Sequence, residues 1–170
     1  IKLELEGKLA PITVGHFLKR VDSGFYDGLI FHRVIPGFMA QAGGYTPGLD
    51  LKEDDATIPN ESGNGMSNMR GTIAMARTND PHSANTQFFI NVADNVRLDP
   101  ANNRWGYAVF GYVIEGMEVV DEIVSVKTES AIRLATQIPR METMGTRAAR
   151  RPWPTMTTRS LTPLDRAVRT

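Results

Sequence analysis

The chain has 170 residues, 41% of them apolar, with 19 basic side chains balancing 19 acidic ones. That length suits one domain with a real core, and the zero net charge excludes the basic signature of a nucleic-acid binder or membrane-surface protein. Cysteine is absent, which excludes disulfide frameworks and thiolate metal sites but leaves the redox compartment open.

No apolar run reaches the ~18 residues of a membrane span, and no basic-then-apolar leader opens the chain. A cytoplasmic location is expected, with the periplasm as the alternative if a leader is missing ahead of Ile1. The charge balance is uneven. Residues 1–128 carry 11 Lys or Arg against 16 Asp or Glu, whereas residues 129–170 carry 8 against 3. A folded domain over 1–128 is expected, followed by an atypical basic tail over 129–170 that stays disordered for want of periodic apolar residues.

In chain order, Ile1-Lys2-Leu3-Glu4-Leu5-Glu6 alternates with period two, as a half-buried strand does, and Gly7-Lys8 turns it. From Thr13, a plausible N-cap preceded by Pro11, the apolar residues Val14, Phe17, Leu18 and Val21 fall at helical spacing, and Ser23-Gly24 ends the run. Leu29 to Phe38 reads as a strand after an Asp27-Gly28 turn. Residues 43–69 are rich in Gly, Pro, Asn and Asp and predict a long ordered surface loop. Ile73 to Ala76, Gln87 to Val92 and Tyr107 to Val113 read as strands. A second helix carries Met117, Val120, Asp121 and Val124 after Gly116. Strands at regular intervals with two isolated helices argue a closed antiparallel barrel rather than alternating βαβ units.

Three stretches carry the chemistry. Phe31-His32-Arg33-Val34-Ile35-Pro36-Gly37-Phe38-Met39-Ala40-Gln41 puts one guanidinium and one amide among apolar side chains in strand-like alternation. Gly71-Thr72-Ile73-Ala74-Met75-Ala76 and Gln87-Phe88-Phe89-Ile90-Asn91 follow. Together they resemble the cyclophilin family of peptidyl-prolyl cis-trans isomerases, over about Ile1 to Lys127, and the wording of Asn91-Val92-Ala93-Asp94-Asn95 and Gly106-Tyr107-Ala108-Val109-Phe110-Gly111 resembles its bacterial branch. The resemblance implies an eight-stranded antiparallel barrel with a helix capping each end. Ile1 already matches the family's second strand and 129–170 lacks its final apolar one, so the first and last strands are expected to be missing.

Prolyl isomerisation breaks no bond; the amide must rotate over a resonance barrier of roughly 18–20 kcal/mol. No nucleophile, cofactor or metal is required. A donor aimed at the amide nitrogen helps, because its lone pair becomes basic as the bond twists. Arg33 suits that role, since a guanidinium stays protonated and offers five N–H groups in a fixed fork. An isolated strand arginine is more often an ordinary surface residue; the surrounding motif reverses that preference.

The resemblance further places Phe38, Met39, Phe89 and Leu98 in a proline pocket, though core packing is the commoner fate of such residues. It gives Gln41 and Gln87 to substrate backbone, and Ala76 and Arg77 to pairing with the extended peptide upstream of proline. Tyr107 stands where many relatives have histidine and closes the pocket wall. Phe31 is expected in the core beneath Arg33, and His32, pointing to the opposite strand face, is read as structural. His16, His32 and His82 match no metal-ligand spacing. Asn60-Glu61-Ser62 is formally a glycosylation sequon, read instead as a loop of local hydrogen bonds.

Arg97 replaces an aromatic residue of many relatives, which implies weak cyclosporin binding. The expected partners are unfolded or flexible proline-containing polypeptides, on which the protein acts as a monomer, with no nucleic acid and no membrane. Two rivals stand beside the isomerase: a non-catalytic proline-peptide binding module or chaperone on the same scaffold, and a truncated product without activity.

Overall fold

The computed structural model describes residues 1–126 except Glu53; the tail expected over 129–170 lies outside the described residues. Six strands form one antiparallel sheet: β1 (Lys2–Leu5), β2 (Arg33–Ile35), β3 (Met39–Ala42), β4 (Thr72–Met75), β5 (Phe88–Asn91) and β6 (Val109–Glu115). Two helices, α1 (Pro11–Asp22) and α2 (Met117–Ser125), complete the fold. The spatial order is β1-β6-β4-β5-β3-β2.

The mostly β, two-helix architecture agrees with the sequence reading, but the closed eight-stranded barrel does not. Among the described residues β1 and β2 form the two ends of an open six-stranded sheet. Closure would require further strands hydrogen-bonded to those two edges, because an unpaired edge strand leaves its N–H and C=O groups without ladder partners.

The expected strand from Leu29 to Phe38 is also corrected. Only Arg33–Ile35 is strand; the chain then reverses at Pro36-Gly37 and returns as β3, pairing Arg33 with Gln41, Val34 with Ala40 and Ile35 with Met39. Gly37 takes the turn at φ 70°, a left-handed conformation that glycine adopts without a Cβ penalty. The apolar alternation spans both arms of this hairpin, which is why it reads as one longer strand.

Period-two alternation splits the sheet into two faces. Ala40, Ala42, Ile73, Met75, Phe88, Ile90 and Phe110 join Ala10, Val14 and Phe17 around α1 and Val120, Ile123 and Val124 of α2 in the main core. Phe31 is fully buried in it, as expected. The opposite face carries Met39, Ala74, Phe89 and Val109, a smaller second cluster.

Helix α1 starts three residues earlier than expected. Thr13 is not its N-cap: Pro11 sits in the first turn, Ala10 precedes it, and no side chain of the segment caps the helix. Instead Glu61, from the long loop, accepts from the Ile12 and Thr13 N–H groups at 3.2 and 2.8 Å and from the Thr13 hydroxyl at 2.7 Å. A carboxylate at that end satisfies orphan donors and suits the helix dipole. The loop is ordered as predicted, with Asn60 Nδ2 donating to the carbonyls of Pro81 and Gly106 at 3.1 and 3.0 Å and Asn64 Nδ2 to that of Val109 at 2.8 Å.

Candidate active site

The antiparallel register aligns Arg33, Gln41, Phe89, Ala74 and Val109 in one row across β2, β3, β5, β4 and β6. Residues directly opposite point to the same face. A cation, an amide and an aromatic ring are thereby placed side by side from strands far apart in sequence. Arg33 is exposed at the sheet edge.

Met39 and Phe89 pack with Phe38, Leu98 and Tyr107 in the small second cluster. Four of the five come from separate turns of the chain: the β2–β3 hairpin, strand β5, the short 3-10 helix Val96–Leu98, and the segment before β6. Phe89 and Tyr107 meet edge to face, ring centroids 5.6 Å apart and planes at 77°, a favoured aromatic geometry. The Tyr107 N–H donates to the Leu98 carbonyl at 2.9 Å, tying two walls together. Met66, Ile35 and Val109 join the same cluster. Sequence reasoning missed them; Met66 alone left a trace, as an apolar residue isolated in the polar loop.

Beside this apolar cup runs a side-chain relay. Arg33 Nη1 lies 3.4 Å from Gln41 Oε1, and Gln41 Nε2 donates to Gln87 Oε1 at 2.9 Å. His32 lies against Tyr45, ring centroids 4.5 Å apart, and its pKa is pushed down to about 4, chiefly by burial, against the hydrogen-bonding influence of the Ile30 backbone and the Gln87 side chain. The other two histidines bond elsewhere, His16 Nε2 with the Asn85 carbonyl and His82 Nδ1 with the Asn60 N–H.

Gln87 is held on its other side by an absence of bulk. A Cβ added to Gly44 would lie 2.7 Å from Cγ and Cδ of Gln87 and 2.8 Å from its Nε2. Gly44→Ala is therefore expected to swing the flexible Gln87 side chain away, with kcat/KM falling about two- to tenfold for one lost hydrogen bond. Its melting temperature should move little. Gly43→Ala should do the reverse, because its Cβ meets the Thr86 carbonyl at 2.6 Å and φ is 91°. Parent-like activity in a folded Gly44→Ala protein would remove Gln87 from the relay.

A chain of buried amides lies under the cup, also unforeseen. Asn95 Nδ2 donates to the Phe38 carbonyl and to Asn91 Oδ1, both at 2.8 Å, and Asn91 Nδ2 donates to Thr72 Oγ1 at 2.9 Å. Asn68 Nδ2 donates to Asp99 Oδ1 at 2.9 Å. These bonds fix the backbone beneath Phe38 and around Leu98. The sequence signal was Asn91 itself, a polar residue closing an apolar strand.

Ala76 and Arg77 follow β4, and the Ala76 N–H donates to the Gln87 carbonyl at 2.9 Å. The Arg77 side chain lies over the Tyr107 ring, its Cζ 4.6 Å from the centroid.

Comparison with known proteins agrees with this geometry. The family described as "Cyclophilin type peptidyl-prolyl cis-trans isomerase/CLD" matches residues 1–145. The chain is 53% identical over 130 residues to peptidyl-prolyl cis-trans isomerase A of Dickeya dadantii, covering 76% of this chain and 68% of that one. It is 58% identical over 134 residues to peptidyl-prolyl cis-trans isomerase cyp18 of Streptomyces antibioticus, covering 77% and 81%. In fold it is similar to a Cryptosporidium parvum cyclophilin crystallised in the presence of the dipeptide Ala-Pro, with a TM-score of 0.63 and 24% identity over 76% of this chain and 81% of that one. An apolar cup beside an exposed arginine, on a sheet of this order and with these relatives, places the chain in the cyclophilin-type peptidyl-prolyl cis-trans isomerase family.

Proposed function

We propose that Arg33 is the catalytic donor of this isomerase and that Phe38, Met39, Phe89, Leu98 and Tyr107 receive the proline ring. The observation that carries the reading is the shared row of Arg33, Gln41 and Phe89, which sets a guanidinium beside the cup. With the ring held, rotation turns the acyl side of the Xaa-Pro bond. As resonance is lost, the nitrogen lone pair localises and accepts a hydrogen bond from the guanidinium. Gln41 Nε2 carries two hydrogens, and its bond to Gln87 uses one; the other holds a substrate carbonyl next to the proline.

Magnitudes divide the work. One charge-assisted hydrogen bond is worth about 1.5–3 kcal/mol net, which is one to two decades in rate. The remainder comes from binding the twisted amide better than the planar one and from removing it from water, because the less polar twisted form suits an apolar cup. Backbone pairing with the upstream peptide is given to Ala76 and Arg77, through groups other than the Ala76 N–H, which bonds the Gln87 carbonyl. Such pairing reads no side chain and fits unfolded or flexible clients. The reaction draws on no cofactor, and we place it in the cytoplasm.

A protease-coupled assay on an Ala-Pro peptide tests the activity: acceleration of cis-trans exchange is expected, and binding without acceleration would reduce the protein to a peptide-binding module. Inhibition by cyclosporin should be weak. The Arg97 guanidinium lies 4.7 Å from the centroid of the Phe38 ring, where a charged, flexible group replaces a flat apolar contact for the drug. Arg97→Trp should inhibit more tightly; equal inhibition constants for the two proteins would clear Arg97 of any part in it.

A further inference from the structure

Six arginines lie among the described residues, and their partners divide them. Arg20 and Arg70 each grip a carboxylate with two nitrogen–oxygen contacts: Arg20 holds both oxygens of Asp54 at 2.6 Å, and Arg70 holds those of Asp121 at 3.0 and 2.7 Å. Three of the other four border the cup, and the fourth braces one of them. Arg33 stands at its open edge, Arg97 lies across Phe38 and Arg77 across Tyr107. Arg104 is anchored behind Arg97, donating to the Arg97 and Asp99 carbonyls at 2.6 and 3.0 Å. Among the described residues none of these four forms an ion pair.

This is unusual for the surface as a whole, because residues 1–128 carry a net charge of −5. Carboxylates are abundant, yet among the described residues none forms an ion pair with the rim. Arg77 is moreover fixed in place, its three guanidinium nitrogens donating to the carbonyls of Gly106, Thr78 and Trp105 at 3.2, 2.8 and 2.8 Å. A cation held by neutral carbonyls and a ring face keeps its full charge for a passing anion.

We propose that this rim selects acidic substrates: Xaa-Pro segments carrying Asp or Glu beside the proline, on either side of it. The proposal rests on the isomerase reading above and adds a substrate class to it. Within residues 1–128 the acidic balance repels such peptides elsewhere, so over this body attraction is concentrated at the groove and orients the segment toward the cup.

The test uses the full chain and three matched peptides in which Glu, Gln or Lys flanks an Ala-Pro core. At low salt, kcat/KM for the Glu peptide should exceed that for the Lys peptide by about three- to tenfold, the sum of two exposed ion pairs. At ~1 M salt, where the screening length is about 3 Å, the ratio should approach one. Arg97→Gln should lower the ratio, and Arg77→Gln should lower it again, whereas Arg77→Lys should preserve it by keeping the charge. Equal turnover of the Glu and Lys peptides, or an undiminished ratio in the Arg77→Gln/Arg97→Gln protein, overturns the proposal. Calorimetric affinities of the same peptides decide it independently of turnover. Failure to isomerise even the Gln peptide would instead count against the isomerase reading, with the affinity ratio still reporting on the rim.

Discussion

Arg33→Ala is expected to isomerise an Ala-Pro peptide at least about one to two orders of magnitude more slowly than the parent, the share of rate that one charged hydrogen bond supplies. Peptide affinity should fall much less, because Phe38, Met39, Phe89, Leu98 and Tyr107 pack together without Arg33. Folding should be nearly unaffected, since the side chain is exposed and its contact with Gln41 is long at 3.4 Å. Arg33→Lys keeps a charge but loses the planar fork, so it should recover activity only in part.

The parent rate should also be flat from about pH 6 to 9, because a guanidinium keeps its proton, glutamines do not titrate, and His32 is neutral above its depressed pKa of about 4. The linkage has a sign. The folded pKa of His32 lies below its ordinary value, so the unfolded chain binds the proton more readily and stability declines as pH falls from about 6.5 toward 4. A folded Arg33→Ala protein with the parent rate would refute the mechanism.

Phe17→Ala should cost about 3–5 kcal/mol, the usual range for deleting a fully buried phenyl ring. Phe17 is completely buried on α1 and meets Tyr26, Phe88 and Phe110 with ring centroids 5.2, 5.5 and 5.1 Å away. Its removal opens a cavity between the helix and two strands, with rings on every side that cannot all move in. Against a typical total of about 5–15 kcal/mol that loss is large, and the melting temperature should fall by at least roughly 8 °C. Ile12→Ala on the same helix is the control: Ile12 is 47% exposed, and exposed positions usually stay within about 0.5 kcal/mol. Similar melting temperatures for the two variants would mean that α1 contributes little to the core. Phe88 faces the core while its neighbour Phe89 faces the cup, so the Phe17 variant should keep normal turnover at temperatures where it remains folded.

The amino-acid sequence by itself pointed to both helices, five of the six strand regions, the ordered loop and Phe38, Met39, Phe89, Leu98 and Tyr107 of the cup, because each left a local signal: period 3.6, period two, glycine and proline clusters, or a specific motif. It did not point to Ile35, Met66 or Val109 of the same cup. The β2–β3 hairpin was legible in principle from Pro36-Gly37, but the apolar alternation continues on both sides of the turn and hides the break. Tertiary structure alone decided the rest. The cap of α1 is Glu61, 48 residues from Thr13, and no window of sequence contains both partners of such a bond. Gln41 bonds Gln87, and Gly44 leaves room for it, only because antiparallel pairing brings separate strands together. The buried amides under Phe38 and the absence, among the described residues, of an ion pair at Arg33, Arg77, Arg97 and Arg104 have the same origin. Propensity and periodicity act between neighbours in the chain, whereas satisfaction of buried polar groups and neutralisation of charge are settled between neighbours in space.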